Sequence, residues 1–152
     1  MCGAIAARKG EDLLLVVYNH RPWRRPSVGE SVHLVVRDAR MKAWASWRMS
    51  EWTIDRSRGV WAYAFGADCE AAGVTPLPRA GLFEGSIDRL YGPPGVPVWR
   101  RNADKYAKLA VMPKTADNVA AAVGDGQFTL DLDMPGHSVR LIQLTPGRTP
   151  LP

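Results

Sequence analysis

Apolar side chains return at every second position in several short stretches of this chain. In residues 127–132, Phe128, Leu130 and Leu132 point one way and polar residues the other. Successive side chains of extended backbone face opposite sides, so this period marks a strand with one face on a core. Residues 31–37 repeat it with Val32, Leu34 and Val36. Residues 13–17 are apolar on both faces, as suits a central strand. Six segments read as strands: 4–7, 13–19, 31–37, 42–55, 127–132 and 138–144. Lys9-Gly10-Glu11-Asp12 forms a hairpin turn between the first two, and Asp133-Met134-Pro135-Gly136 a turn before the last. In 42–55 the apolar face passes from Ala45, Trp47 and Met49 to Trp52 and Ile54, a change of phase that a β-bulge would cause. Hairpin spacing at both ends of the chain predicts an all-β fold, an antiparallel β-sandwich with one or two short helices in its connections.

The middle of the chain departs from this pattern. Val60, Ala64, Ala67 and Ala71 recur at helical spacing, and Gly73 can end that helix. Trp99, Ala103, Tyr106 and Ala110 mark one face of a second helix, ended by Pro113. Between them, residues 74–98 hold five prolines and several glycines and read as a long irregular loop. The expected organisation is one sandwich domain over 1–145 and a flexible tail over 146–152. Gly (14) and Pro (12) make up a little over a sixth of the 152 residues, in keeping with short strands and many turns.

The net charge of +5 is scattered; its densest runs, around Arg21, Arg24 and Arg25 and at Arg100 and Arg101, are broken by Pro, Trp or Asn. No nucleic-acid partner is expected from such a distribution. Arg8, Lys9, Glu11 and Asp12 interrupt any N-terminal apolar stretch, and the run 13–17 is far too short to cross a membrane. The polypeptide as written is therefore expected in the cytoplasm, with no membrane partner. Cys2 and Cys69 sit in no CxxC pair and read as free thiols.

Candidate chemistry is sparse. His20, His33 and His137 lie far apart, with no metal-ligand spacing, and each reads as a surface or structural residue. Asp131 and Asp133 share a strand face near a turn, where a calcium site is conceivable but a solvated face is the simpler reading. No GxSxG motif and no phosphate-binding glycine loop is present. No metal and no cofactor is expected. Six tryptophans remain, and Trp23, Trp44, Trp47 and Trp52 are the candidates for stacking on sugar rings. Packing in the core or against another domain is favoured over sugar stacking, with Trp23 the most exposed of the four.

Leu14-Leu15-Val16-Val17-Tyr18-Asn19-His20 resembles the strand "vLlYNh" that opens the C-terminal sandwich of family 39 glycoside hydrolases, the β-xylosidase and α-L-iduronidase group. Trp52-Thr53-Ile54-Asp55-Arg56 resembles that family's "yrIDe.hsN" segment, which leads into a short helix with an aromatic residue, a part for Trp61 or Tyr63. Arg58-Gly59-Val60 stands where the family has Ser-Asn. Pro135-Gly136-His137-Ser138-Val139-Arg140-Leu141-Ile142-Gln143-Leu144 resembles the closing "lPphSVtLleL" strand, which accessory sandwiches of several glycosidase families share. The resemblance spans residues 4–144, with 74–98 as an insertion. It implies that the catalytic glutamates lie on a (β/α)8 barrel preceding the sandwich, one of them in an Asn-Glu-Pro motif. This chain has no Asn-Glu-Pro and too few residues for a barrel of about 250, so no catalytic residue carries over. The implied role is a non-catalytic accessory module that packs against a barrel supplied elsewhere, or associates with itself through an apolar patch. An autonomous carbohydrate-binding module and a small stand-alone enzyme are the alternatives.

Overall fold

The computed structural model describes residues 1–20, 28–55, 57–77 and 87–147, with only the backbone described for 87–90. The chain divides into two compact units. One comprises Met1–Asp55 and Met112–Pro152, the other Arg56–Val111.

The first unit is an antiparallel sandwich. Its strands are β1 (Cys2–Lys9), β2 (Asp12–Asn19), β3 (Glu30–Arg37), β4 (Trp47–Ile54), β5 (Lys114–Ala121), β6 (Val123–Gly124), β7 (Gln127–Met134) and β8 (Ser138–Pro146). Five form one sheet in the order β1-β2-β8-β4-β5, and three the other in the order β3-β7-β6. Period two does the sorting. Leu13, Leu15 and Val17 of β2, Ile142 and Leu144 of β8, and Trp47 of β4 face inward. Leu34 of β3 and Phe128, Leu132 and Met134 of β7 complete the same buried cluster from the second sheet. Each of these side chains removes about 1.5–3 kcal/mol worth of apolar surface from water.

Turn chemistry fixes the register. Lys9 pairs with Asp12, leaving Gly10 (φ 61°) and Glu11 as a two-residue hairpin loop. Gly124 pairs with Gln127 across Asp125 (φ 51°) and Gly126 (φ 73°), the double positive φ of a type I′ turn. Asp38 donates its N–H to the Gly126 carbonyl at 2.9 Å, and a Cβ on Gly126 would lie 2.9 Å from the Asp38 carbonyl oxygen. Gly126→Ala is therefore expected to lower stability by about 2 kcal/mol, from left-handed strain and that contact together. A urea midpoint equal to wild type would contradict it.

All six strands expected from the sequence are present, with shifts at their ends. The segment 42–55 is shorter than expected: Ala39–Ala43 forms a 3₁₀ turn capped by the Asp38 carboxylate, which accepts from the Arg40 N–H, and β4 starts at Trp47. The expected change of phase within β4 does not occur. Trp47, Glu51, Thr53 and Asp55 are all buried on one face, and the register with β8 is unbroken from Trp47 to Ile54. The irregularity lies in β5, whose register against β4 shifts on both sides of Glu51, with Asn118 at φ 52°. Trp52 and Ile54 thus belong to the outer face, while polar residues occupy the inner one.

The second unit is helical. α1 (Trp61–Ala71) ends where Gly73 takes φ 74°, as its sequence predicts. α2 (Ile87–Leu109) contains the second expected helix but begins earlier, so residues 87–91 and 93–98 are helical rather than irregular. The proline content misled because of where the prolines fall. Gly92 (φ 59°, ψ −163°) breaks the helix in a region open only to glycine, and Pro93 and Pro94 then occupy a first turn, where an N–H has no carbonyl partner. Residues 78–86 of the expected loop and 148–152 of the expected tail lie outside the described residues. Phe65, Cys69, Tyr91, Val98 and Tyr106 form a core separate from that of the sandwich. Its aromatic rings meet mainly edge-on, with Phe65 5.3 Å from Tyr91, 5.6 Å from Tyr106 and 5.7 Å from Trp99.

Candidate functional site

The faces of the five-stranded sheet differ in kind. Because Leu13, Leu15 and Val17 point inward, Leu14, Val16 and Tyr18 point outward. The register sets Val16 beside Leu141 and Leu141 beside Trp52, and sets Tyr18 beside Val139 and Val139 beside Ile54. On the other side of Val16 stands Ile5 of β1, 59% exposed. The outer face therefore carries a row, Ile5–Val16–Leu141–Trp52, with a second beside it. Apart from Ile5 these side chains are half-buried. An apolar row on the non-core face of a sheet is the signature of a surface that packs against something. Lys114 flanks the row with its Nζ 4.9 Å from the centre of the Trp52 ring.

The candidate tryptophans do not share one surface. Trp47 is 2% exposed, and its indole N–H donates to the Met41 carbonyl at 3.2 Å, so it presents no ring to a ligand. Trp44 is partly buried against the same core. Trp52 lies on the outer face, opposite to Trp47, and Trp23 lies outside the described residues. Trp61, of which the sequence made less, opens α1 and meets Trp99 at 4.9 Å.

The inner face changes character along β4. Beyond Met49 it turns polar, with Glu51, Thr53 and Asp55 all buried. Arg140 of β8 donates to the Glu51 carboxylate through Nη1 and to the Asp133 carbonyl through Nη2 at 2.8 Å. Thr53 donates to Glu51 at 3.3 Å and shares a hydrogen bond with Thr115 at 3.1 Å. Among the described residues Glu51 and Asp55 are the buried charged groups of the sandwich, and the sequence reading missed them. Glu51 and Arg140 are 89 positions apart, and no linear spacing signals the pair. Glu51 and Asp55 share one strand face four residues apart, about 13 Å at the rise of extended backbone. Carboxylates that cleave glycosidic bonds stand about 5–9.5 Å apart, so these two do not make such a pair.

Asp131 and Asp133 are engaged across the second sheet. His33 meets Asp131 at 2.6 Å, and Ser31 donates to Asp133 at 3.1 Å, across β3 and β7. Both candidate calcium ligands are thus engaged in cross-strand pairs, and no group of three or more His, Cys, Asp or Glu is placed for a metal among the described residues. His20 and His137 meet ring to ring at 6.4 Å. Cys2 and Cys69 are not paired with each other in a disulfide; burial pushes the Cys69 thiol up from its ordinary value. No described helix is long and apolar enough to cross a membrane.

Asp68 joins the two helices of the second unit. It accepts from Lys105 Nζ at 2.8 Å and from the buried Tyr106 hydroxyl at 2.7 Å. Those bonds hold its carboxyl below the usual range, while desolvation and then Asp68 itself push the Tyr106 hydroxyl up. In the sandwich, the Arg8 guanidinium and then the Arg40 N–H lower Asp38 in the same way. A carboxyl more acidic folded than unfolded stabilises the fold above its unfolded pKa and loses that contribution as pH falls below about 4. Acid titration of stability should therefore be shallower for Asp68→Asn than for wild type. Parallel acid limbs would contradict the assignment.

The class these elements define is an antiparallel sandwich with a helical excursion between β4 and β5. Solved structures of family 39 glycoside hydrolases contain this fold. The bacterial orthologue of human α-L-iduronidase matches with a TM-score of 0.62 at 15% identity, over 97% of this chain and 22% of its own. The monomeric β-xylosidase from Caulobacter crescentus CB15 matches at 0.56 and 17% identity, over 94% and 26%. The GH39 enzyme from Xanthomonas axonopodis pv. citri matches at 0.51 and 10% identity, over 95% and 26%. This chain spans about a quarter of the length of those enzymes. No protein-family model matches the sequence, and no curated protein matches it.

Proposed function

We propose that this chain is a non-catalytic accessory module of a family 39-like glycosidase, β-xylosidase-like in kind, which packs against a catalytic (β/α)8 barrel supplied elsewhere. The observation that carries the reading is the asymmetry of coverage: almost all of this chain matches, and about three quarters of each matching enzyme has no counterpart in it. The outer face supports it, since Val16, Leu141, Trp52 and Ile54 give a barrel an apolar surface to cover. The spacing of Glu51 and Asp55 also favours a role outside the chemistry.

The test mixes the chain with an Asn-Glu-Pro barrel protein lacking its own sandwich and follows association by sedimentation. A one-to-one complex is expected, and Leu141→Asp on the outer face should abolish it. The same chain alone should neither turn over an aryl β-xyloside nor change its tryptophan fluorescence with millimolar xylo-oligosaccharide. Turnover by the chain alone would overturn the reading in favour of a stand-alone enzyme, and a saturable fluorescence change in favour of a carbohydrate-binding module.

A further inference from the structure

An antiparallel sheet exposes its ends, and this one treats its two ends differently. β5 is broken by two register shifts and a left-handed Asn118, and it carries Lys114 and Asp117. These are common ways of keeping another strand from adding to an edge. β1 has no shift and no left-handed residue, and its charges, Arg8 and Lys9, are confined to the end beside the hairpin turn. It pairs with β2 over its whole length without a shift and has no charged residue and no proline from Cys2 to Ala7.

The phase of its hydrogen bonds follows from one pair. Met1 and His20 bond to each other in both directions, at 3.1 and 3.0 Å. In an antiparallel ladder such pairs alternate with pairs that exchange no bond. Gly3, Ile5 and Ala7 are therefore bonded to β2, and Ala4 and Ala6 turn their N–H and C=O groups outward. Both alanines are exposed, and among the described residues neither has another partner. Ile5 stands between them with its side chain 59% exposed, at the open end of the row Ile5–Val16–Leu141–Trp52.

We propose that β1 is the docking edge for a second copy of this chain, whose own β1 adds antiparallel with the two-fold axis through Ile5. That register is self-complementary. It pairs Ala4 with the partner's Ala6 and Ala6 with the partner's Ala4, so every outward group of the two alanines is satisfied. It sets Ile5 against the partner's Ile5 as a pair without hydrogen bonds, the closer of the two kinds. The two five-stranded sheets become one, and the apolar row runs on across the axis. The inference does not rest on the accessory reading, because a barrel would cover the face of the sheet and a second copy its edge.

One strand pair buries less than the roughly 1,200 Å² of a standard interface, so a weak dimer is expected, with a dissociation constant of about 10–100 μM. Sedimentation equilibrium of the chain alone, from about 1 μM to 1 mM, reads it directly. Ala6→Pro removes an N–H that faces away from β2, so it should raise the constant at least tenfold and leave the sandwich folded. Ile5→Lys sets two ammonium groups side by side at an exposed position and should do the same; it keeps the test open if the proline variant unfolds. Ile5→Cys in a Cys2→Ser background should oxidise to a covalent dimer. A wild-type chain that stays monomeric at 1 mM overturns the proposal, as does a dimer that both folded variants keep at wild-type affinity.

Discussion

Replacing Arg140 by leucine is expected to destabilise the sandwich by about 3–5 kcal/mol, the usual cost of leaving one member of a buried ion pair alone. Arg140 and Glu51 have side chains 19% and 11% exposed, and Thr53 already contributes its hydroxyl to the same carboxylate oxygen. Without the guanidinium, the Glu51 carboxyl loses its counter-ion in a site that water hardly reaches, and the Asp133 carbonyl loses that donor. The double variant Glu51→Leu/Arg140→Leu should recover most of the loss, since a well-packed apolar pair is often as stable as the ionic one. Urea unfolding of the two single variants and the double variant closes the cycle. An Arg140→Leu protein within 1 kcal/mol of wild type, or a double variant no better than the worse single, would show that the pair is not coupled as described.

Phe65→Ala is expected to have a comparable effect in the other unit. Phe65 is 1% exposed and touches the rings of Trp61, Tyr91, Trp99 and Tyr106. Truncating a buried phenylalanine costs about 3–5 kcal/mol, and each edge-on ring pair adds about 0.5–1.5 kcal/mol to plain burial. α1 is a short helix with no side-chain cap at its start, so it depends on this packing for its stability. Hydrogen exchange should show α1 and the segment after Gly92 losing protection while β2 and β8 keep theirs, because the two cores share no residue. Equal loss of protection throughout both units would refute that independence.

How far the sequence reveals this fold depends on the residue. Clean alternation announced β3 and β7, because one face of each meets the core and period two survives, whereas β2 was marked by a run apolar on both faces. β5 escaped notice. Its sequence, Lys-Thr-Ala-Asp-Asn-Val-Ala-Ala, has few β-forming side chains and is exposed nearly throughout, so burial leaves no period in it. β6 escaped for another reason: two residues are too few to show a pattern, although Asp125-Gly126 is itself a hairpin signal. β4 misled because each of its faces is apolar over only half its length: Trp47 and Met49 precede Glu51 and Thr53 on the inner face, and Arg48 and Ser50 precede Trp52 and Ile54 on the outer one. A bulge was the natural reading of Trp47 followed by Trp52, and the pairing of Glu51 with Arg140 explains why none is needed there. The proline-rich stretch misled because composition cannot distinguish prolines scattered through a loop from prolines set in the first turn after a glycine break. The outer row was legible only in halves, since each strand shows its own apolar residues but register alone sets Val16, Leu141 and Trp52 abreast.

The pairing of β2 with β8 also governs time. Leu13 lies beside Leu144, so the centre of the larger sheet joins segments from near opposite ends of the chain. Closing so long a loop costs entropy before any contact repays it, and folds dominated by such pairings form in milliseconds to seconds rather than microseconds. During synthesis β2 emerges long before β8, apolar on both faces, and waits with one edge open until β8 has been made. That interval, rather than any weakness of the finished sandwich, is where this chain is most exposed to aggregation.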